Sequence, residues 1–193
     1  MSSTSSTVAT ASTPATASTP SVARSSRARN VAPEAPSRSY WIGVTSRDHV
    51  ALAHAGGFIQ INHGKAGPLE RMRVGDGFAY YSPREAYPDG AVLQAFTALG
   101  IVAGEAIHQA DMGGGFQPFR RAVRFFDVHD APIKPLIDAL TFIRSKQHWG
   151  AAFRFGVLRV PREDFARIVA AMGRDVELDF PAPHEHQAAP SPP

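Results

Sequence analysis

The chain has 193 residues, of which 20 are Lys or Arg and 17 are Asp or Glu, and its formal net charge is +3 at pH 7. The absence of cysteine excludes disulfides, thiolate metal sites and cysteine nucleophiles. No apolar run approaches the length of a membrane span and no signal-peptide core is present, so we expect a soluble, cytoplasmic protein.

Residues 1–38 are almost entirely Ser, Thr, Ala, Pro and Arg, and they repeat the hexapeptide Ala-Thr-Ala-Ser-Thr-Pro at 9–14 and 15–20. Such side chains bury little apolar surface, so we expect a disordered leader. An Arg- and Ser-rich leader is also typical of an organelle transit peptide, but regular prolines oppose the amphipathic helix of such a signal. The leader holds four arginines and one glutamate, so the rest of the chain is neutral overall. Nucleic-acid binding by that remainder would therefore need a local patch or a pocket.

The first half of the chain alternates apolar runs with turn residues. We predict strands at 39–45, 58–61 and 78–82, the last of which Pro83 stops. Between and after them we predict a helix at 47–55, a polar lip at 62–66, a helical turn at Pro68 and a loop at 84–90. Ser46 is a good N-cap for the helix, which places Val50 and Ala53 inward. In the helical turn, Leu69 and Met72 form the buried face.

The second half is predicted in the same way. We expect a long bent strand at 92–106, strands at 120–128 and 153–160, and an edge strand at 176–180. The expected helices are a short one at 132–140 and one from Pro161 to Gly173. A flexible loop is expected at 108–118, and a helical or irregular segment at 142–150. Glu163 and Asp164 favour the last helix because acidic groups stabilise a first turn. Five or six strands with short flanking helices and no regular βαβ alternation predict an α+β fold, a small, partly open β-barrel.

Several short motifs occur in a specific order. They are 40–44 (YWIGV), 58–65 (FIQINHGK), 72–76 (MRVGD), 80–82 (YYS), 113–121, and Trp149 followed by 153–156 (FRFG). From about Tyr40 to Phe180 the chain resembles the EVE domain family, small PUA-like barrels related to YTH domains. The resemblance is to the shorter branch of that family rather than to the branch with an Asn-Tyr-Gln-Ala-Arg motif. Asn62 matches the Asn of that motif, whereas Gly156 stands where that branch has Ser.

The resemblance implies a domain at 39–180, between the leader at 1–38 and a disordered Pro-rich tail at 181–193. It also implies a pocket for a flipped, often modified base of DNA or RNA. A base pocket needs an aromatic wall, an amide or hydroxyl that reads the base edge, and nearby positive charge. The base-pocket candidates are Trp41, Asn62, His63, Tyr80, Ser82, Trp149 and Arg154, and the phosphate-binding candidates are Lys65, Arg120 and Arg121. Trp41 and Tyr80 would stack on the base, and Asn62 and Ser82 would read its edge.

Each of these roles has an ordinary alternative. Tryptophan and tyrosine in a small barrel are more often core residues. Asn62 could form an Asx turn or cap, and Arg120 with Arg121 could be a solvated strand edge. Tyr80 and Tyr81 point to opposite faces of a strand, so at most one of them can line a pocket.

The catalytic alternatives are weaker. His63 with Asp76, His108 with Asp111, and His129 with Asp130 could form acid–base or metal pairs, but none has the spacing of a known metal or nucleophile motif. His184-Glu-His186 in the tail could bind metal adventitiously. We therefore expect a binding module without a cofactor. A hydrolase acting on nucleic acid, or a module that binds a small molecule or a protein, remains the alternative.

Overall fold

The computed structural model describes residues 37–181, so the tandem hexapeptide, most of the predicted leader and the predicted tail after Pro181 lie outside the described residues. The strands are β1 (Tyr40–Val44), β2 (Phe58–Ile59), β3 (Gly77–Arg84), β4 (Val92–Gln109), β5 (Phe119–Phe125), β6 (Ala131–Pro132) and β7 (Val157–Val160). The α-helices are α1 (Arg47–Gly56), α2 (Ala66–Glu70), α3 (Arg162–Ala171) and α4 (Val176–Asp179). No helix of this described part is both long and apolar enough to cross a membrane.

The strands form one mixed sheet in the order β2-β5-β4-β3-β1-β7, and β6 pairs with β4 outside this path. Strands β1 and β3 are parallel, and the other pairs are antiparallel. Among the described residues, the two end strands β2 and β7 do not pair with each other, so the sheet is not closed. The prediction of an α+β, partly open barrel is confirmed, with seven strands instead of five or six.

Strand β1 separates two apolar cores because its side chains alternate between the two faces of the sheet. Tyr40 and Ile42 belong to the core that α3 covers, which includes Phe165 and Ile168. Trp41 belongs to the opposite core, which α1 and α2 cover. The periodic segments that the sequence predicted as helices therefore cover opposite faces of one sheet.

The carboxylate of Asp76 joins the start of β1 to the turn before β3. It is only 3% exposed. Its Oδ1 accepts a hydrogen bond from Ser39 N at 3.0 Å, and its Oδ2 accepts from Trp41 Nε1 at 2.9 Å and from Arg73 N at 3.0 Å. These three donors come from both sides of the parallel β1–β3 pair, so one buried charge fixes how the two strands meet.

Two strand predictions change at their ends. The strand predicted to stop at Pro83 continues to Arg84, because the register shift between Ser82 and Arg84 accommodates a proline that cannot donate to the ladder. The bent strand predicted at 92–106 extends to Gln109, and its pairing with β5 is interrupted between Val102 and Ile107. The bend was therefore predicted correctly, but the loop after it is shorter.

Three other predictions were wrong. Residues 153–156 are not in a strand, because a 3₁₀ helix (Trp149–Phe153) precedes β7 and Gly156 has a left-handed φ of 74°. The predicted helix at 132–140 is the short strand β6 followed by a 3₁₀ turn (Lys134–Leu136). The predicted edge strand at 176–180 is α4, whose start is capped by Asp175, since its side chain accepts from Glu177 N.

We predict that Asp76→Ala lowers the free energy of unfolding by about 3 kcal/mol, because three donors lose their buried acceptor. Chemical denaturation monitored by tryptophan fluorescence and circular dichroism measures the change. The matched control is Asp138→Ala, since Asp138 is an exposed carboxylate. It should change stability by less than about 0.5 kcal/mol. Equal losses in the two variants would contradict the role assigned to Asp76.

Candidate functional site

A cavity of about 500 Å³ lies where β1 ends and α1 begins. We call it the lip cavity, because the polar lip (residues 62–66) contributes Asn62, His63 and Gly64 to its wall. Its other walls come from the start of α1, from the loop between β3 and β4 (residues 85–91), and from the loop between β4 and β5 (residues 110–118). Its volume is within the range of about 300–1,000 Å³ that is usual for small-ligand pockets.

The polar lip has an unusual backbone. Three consecutive residues have left-handed φ angles: 50° at Asn62, 56° at His63 and 76° at Gly64. This conformation is strained for Asn and His, and such strain is concentrated at functional sites. Neither the 3₁₀ turn at Asn62–Gly64 nor α2 after it has a side-chain cap, so the capping role considered for Asn62 is not seen.

Two glycines allow the polar lip to take this path. A Cβ built on Gly64 would lie 2.6 Å from the Cα of Pro118, so the lip packs directly against the end of the loop at 110–118. A Cβ built on Gly156 would collide with Oδ1 of Asn62. The absence of a side chain at 156 therefore makes room for the Asn62 amide at the cavity wall.

Gln60 supplies a buried amide to the lip cavity. It is 6% exposed, and its backbone N and O both hydrogen-bond the Tyr80 hydroxyl, at 3.0 and 3.2 Å. Arg120 Nε donates to Gln60 Oε1 at 2.9 Å, and the Arg120 guanidinium lies 3.8 Å from the ring centroid of Phe58. Arg120 therefore holds the Gln60 amide in one orientation, in which its Nε2–H groups are free of that bond and its oxygen keeps one further lone pair.

His49 also lines the cavity. Burial is the largest cause that lowers the pKa of His49, and the nearby charge of Arg120 lowers it further. The backbone of Gln60 and the carboxylate of Asp48 oppose this shift in part. His49 is therefore neutral at pH 7, with one ring nitrogen as donor and the other as acceptor.

The mouth of the lip cavity carries large apolar side chains that are open to solvent. Tyr87 is 83% exposed and Phe116 is 45% exposed, and both line the cavity. Arg84 is also at this mouth, where its Nη1 donates to Gly90 O at 3.0 Å. These residues were not predicted from the sequence, although an aromatic side chain in a Pro- or Gly-rich loop is the signal that could have identified them.

The structure brings together only some of the predicted base-pocket residues. Asn62 and His63 share the wall of the lip cavity, but Trp41 and Tyr80 do not line it. Trp41 is 6% exposed with its indole N–H bonded to Asp76, and Tyr80 is fully buried. Neither ring can stack on a ligand in this cavity, and the core packing considered as their alternative is what the structure shows.

The remaining base-pocket candidates are also outside the lip cavity. Ser82 is fully buried and its Oγ lies 2.7 Å from Thr97 Oγ1. Trp149 is half-buried against Phe153, with a distance of 6.4 Å between ring centroids. Arg154 is exposed and does not line the cavity.

Among the phosphate-binding candidates, only Lys65 is exposed on the polar lip. Arg120 holds the Gln60 amide. Arg121 is buried and donates to Gly104 O at 2.7 Å, and to Leu69 O and Met72 O at 2.9 and 2.7 Å. Burial lowers the pKa of Arg121. This guanidinium is buried and donates to the carbonyls at the end of α2, so it is not accessible to a phosphate. Arg121 therefore stabilises the fold instead of binding phosphate.

The catalytic alternatives gain nothing from the structure. The Asp76 carboxylate accepts its hydrogen bonds from Ser39, Trp41 and Arg73, and His63 is not one of its partners. Within residues 37–181, no three His, Asp or Glu side chains gather as a metal site.

Comparisons with known proteins agree with the resemblance. A family model described as EVE domain matches residues 39–171. The UPF0310 protein msl3206 of Mesorhizobium japonicum is 48% identical over 137 residues, which cover 70% of this chain and 92% of that protein. UPF0310 protein YdcG of Bacillus subtilis is 41% identical over 138 residues, with 72% and 94% covered. The crystal structure of Atu2648 from Agrobacterium tumefaciens matches 70% of this chain and 94% of its own, with a TM-score of 0.45 and 13% identity.

We predict that Gly156→Ala destabilises the protein more than Gly75→Ala does. Both glycines have left-handed φ angles, 74° and 89°, so both substitutions carry a backbone cost of about 1–2 kcal/mol. Only at Gly156 would the new methyl group meet another side chain, that of Asn62. Denaturant titration measures both losses. In an Asn62→Ala background the excess loss at Gly156 should disappear. An excess that persists would show that Gly156 does not act through Asn62.

The lowered pKa of His49 predicts a pH dependence of stability. In the unfolded chain the pKa is about 6.5. Because the folded-state pKa is lower, the unfolded state binds more protons between the two values, and stability falls as the pH falls below about 6.5. Relative to wild type, His49→Gln should therefore gain stability as the pH is lowered from 7.5 to 5.5, measured by urea denaturation at each pH. Above pH 7 the difference between the two proteins should be constant. A constant difference over the whole range would refute the assigned shift.

Proposed function

This chain belongs to the EVE domain family, which is generally associated with nucleic-acid binding, and on that premise we propose that it takes a single base of a nucleic acid into the lip cavity. We further propose that the natural base is a modified one. The observation that carries the proposal is the combination of a cavity of about 500 Å³ with exposed rings at its mouth.

The exposed rings are suited to stacking. Tyr87 and Phe116 lie on two different loops at the cavity mouth, so a base could contact either or both. Stacking of one base on an aromatic side chain is worth about 1–3 kcal/mol. Single exposed rings are common on protein surfaces, but two of them beside a concave pocket are typical of a binding site.

The cavity wall is suited to reading a base edge. Gln60 offers an N–H donor whose orientation Arg120 holds, and the Asn62 amide offers both a donor and an acceptor. Neutral His49 adds one more donor or acceptor. An uncharged planar ring with both carbonyl and amino groups matches this set of donors and acceptors.

Positive charge is placed outside the cavity rather than within it. Arg84 at the mouth and Lys65 on the polar lip are exposed and can approach a phosphate. The chain after residue 38 has no net charge, so non-specific attraction by this part is weak. Contacts with the base must then provide the selectivity.

We predict that Tyr87→Ala, Phe116→Ala and Asn62→Ala each weaken binding to the preferred oligonucleotide. A loss of 1–3 kcal/mol corresponds to about a 5- to 150-fold rise in Kd. Fluorescence anisotropy with single-stranded and duplex DNA and RNA, each with and without modified bases, measures the effect and identifies the preferred target.

The control for these variants is Leu178→Ala, because Leu178 is similarly exposed but lies on α4, outside the lip cavity. It should bind like wild type. If all three cavity variants bind as tightly as this control, the base is not held in the lip cavity. If wild type binds no oligonucleotide of the panel, the proposed function fails.

A further inference from the structure

A second cavity, of about 630 Å³, lies at the other end of β1. Three arginines line it, Arg71 and Arg73 from the turn after α2 and Arg159 from β7. Ser37, Ser39 and Trp41 complete its polar side. We call it the arginine cavity.

The three guanidinium groups have no carboxylate partner within residues 37–181, where the ion pairs involve other arginines. Asp76 bonds the backbone of Arg73, but its two oxygens already hold Ser39, Trp41 and that backbone N–H. No carboxylate is among the residues that line this cavity, so its three guanidinium groups face one another without a lining anion. Like charges held in a concave surface repel each other, and a bound anion would relieve that repulsion.

The chemistry of the cavity fits phosphate. A guanidinium presents several N–H donors in a plane and matches phosphate oxygens in pairs. The Arg71 guanidinium lies 5.7 Å from the Trp41 ring centroid, a cation–π contact that restrains its plane. The hydroxyls of Ser37 and Ser39 are further donors. This assigns Trp41 a role in positioning an arginine instead of stacking on a base.

The arginine cavity continues from the lip cavity along the edge of the sheet. Gly156 lines the lip cavity, and the next residues, Val157 to Arg159, line the arginine cavity. Along β1, three residue steps separate Trp41 in the arginine cavity from Val44 in the lip cavity, a distance of about 10 Å. Lys65, on the polar lip itself, is also exposed. A chain of phosphates leaving the first cavity would therefore meet positive charge along this edge.

The chain's own preceding segment is a poor occupant, because residues 1–36 carry three arginines and only one acidic residue, Glu34. We propose that the arginine cavity binds a backbone phosphate of the same polynucleotide whose base enters the lip cavity. The proposal rests on the proposed function for its ligand, but the anion site itself rests on the arginines.

The test compares full-length wild type with Arg71→Gln/Arg73→Gln/Arg159→Gln. The preferred oligonucleotide is titrated over a salt series. Removal of the site for one backbone phosphate should reduce the slope of log K against log salt by about 0.7, which is the contribution of one neutralised phosphate on a single strand. The matched control, Arg124→Gln/Lys134→Gln/Arg144→Gln, removes the same charge from exposed positions elsewhere. It should leave the slope nearly unchanged.

Two further measurements separate this proposal from the proposed function. The free nucleoside of the preferred base has no phosphate, so the triple variant should bind it like wild type. Equal slopes for the triple variant and its control would overturn the phosphate site while base binding stands. If inorganic phosphate raises the Tm of wild type but not of the triple variant, and oligonucleotides do not bind, the site takes a free anion and the polynucleotide assignment is overturned.

Discussion

The buried carboxylate of Asp76 is the interaction on which both cavities depend. It accepts hydrogen bonds from the start of β1 and from the turn before β3, and so fixes the only parallel strand pair among the described residues. One end of β1 then contributes to the lip cavity and the other to the arginine cavity. The Trp41 indole, which Asp76 orients, also makes a cation–π contact with Arg71. The charge that organises the fold thus also positions a cation at its surface.

The lip cavity is built from strained and constrained groups rather than from a charged surface. Its backbone passes through three left-handed residues, and its buried amide is held by Arg120. Such pre-organisation lowers the entropic cost of binding, because donors need not be ordered by the ligand. The exposed aromatic side chains, in contrast, lie on the two loops at the cavity mouth. A wall that can read a base edge and aromatic rings at the mouth that can stack on the base fit the proposed recognition of one base.

Much of the fold could be predicted from the sequence, because α1 and α3 combine a periodic apolar stripe with clear end signals. The predictions that failed were decided by single residues. Gly156 interrupts an alternation that would otherwise extend β7, and Asp175 caps a helix where the pattern suggested a strand. For the site, Asn62 was found from its place in the motif. Trp41 and Tyr80 were not distinguishable from pocket residues by type, since only packing decides whether a ring faces a core or a cavity.

The contact between Asn62 and the backbone at 156 has a consequence for the family as a whole. A side chain at this position could not share the space that the Asn62 amide occupies here, so the amide would have to rotate away or the segment after β2 would have to shift. The glycine at 156 is therefore what allows the Asn62 amide to lie at the cavity wall, and a serine there requires that amide to take another orientation or position.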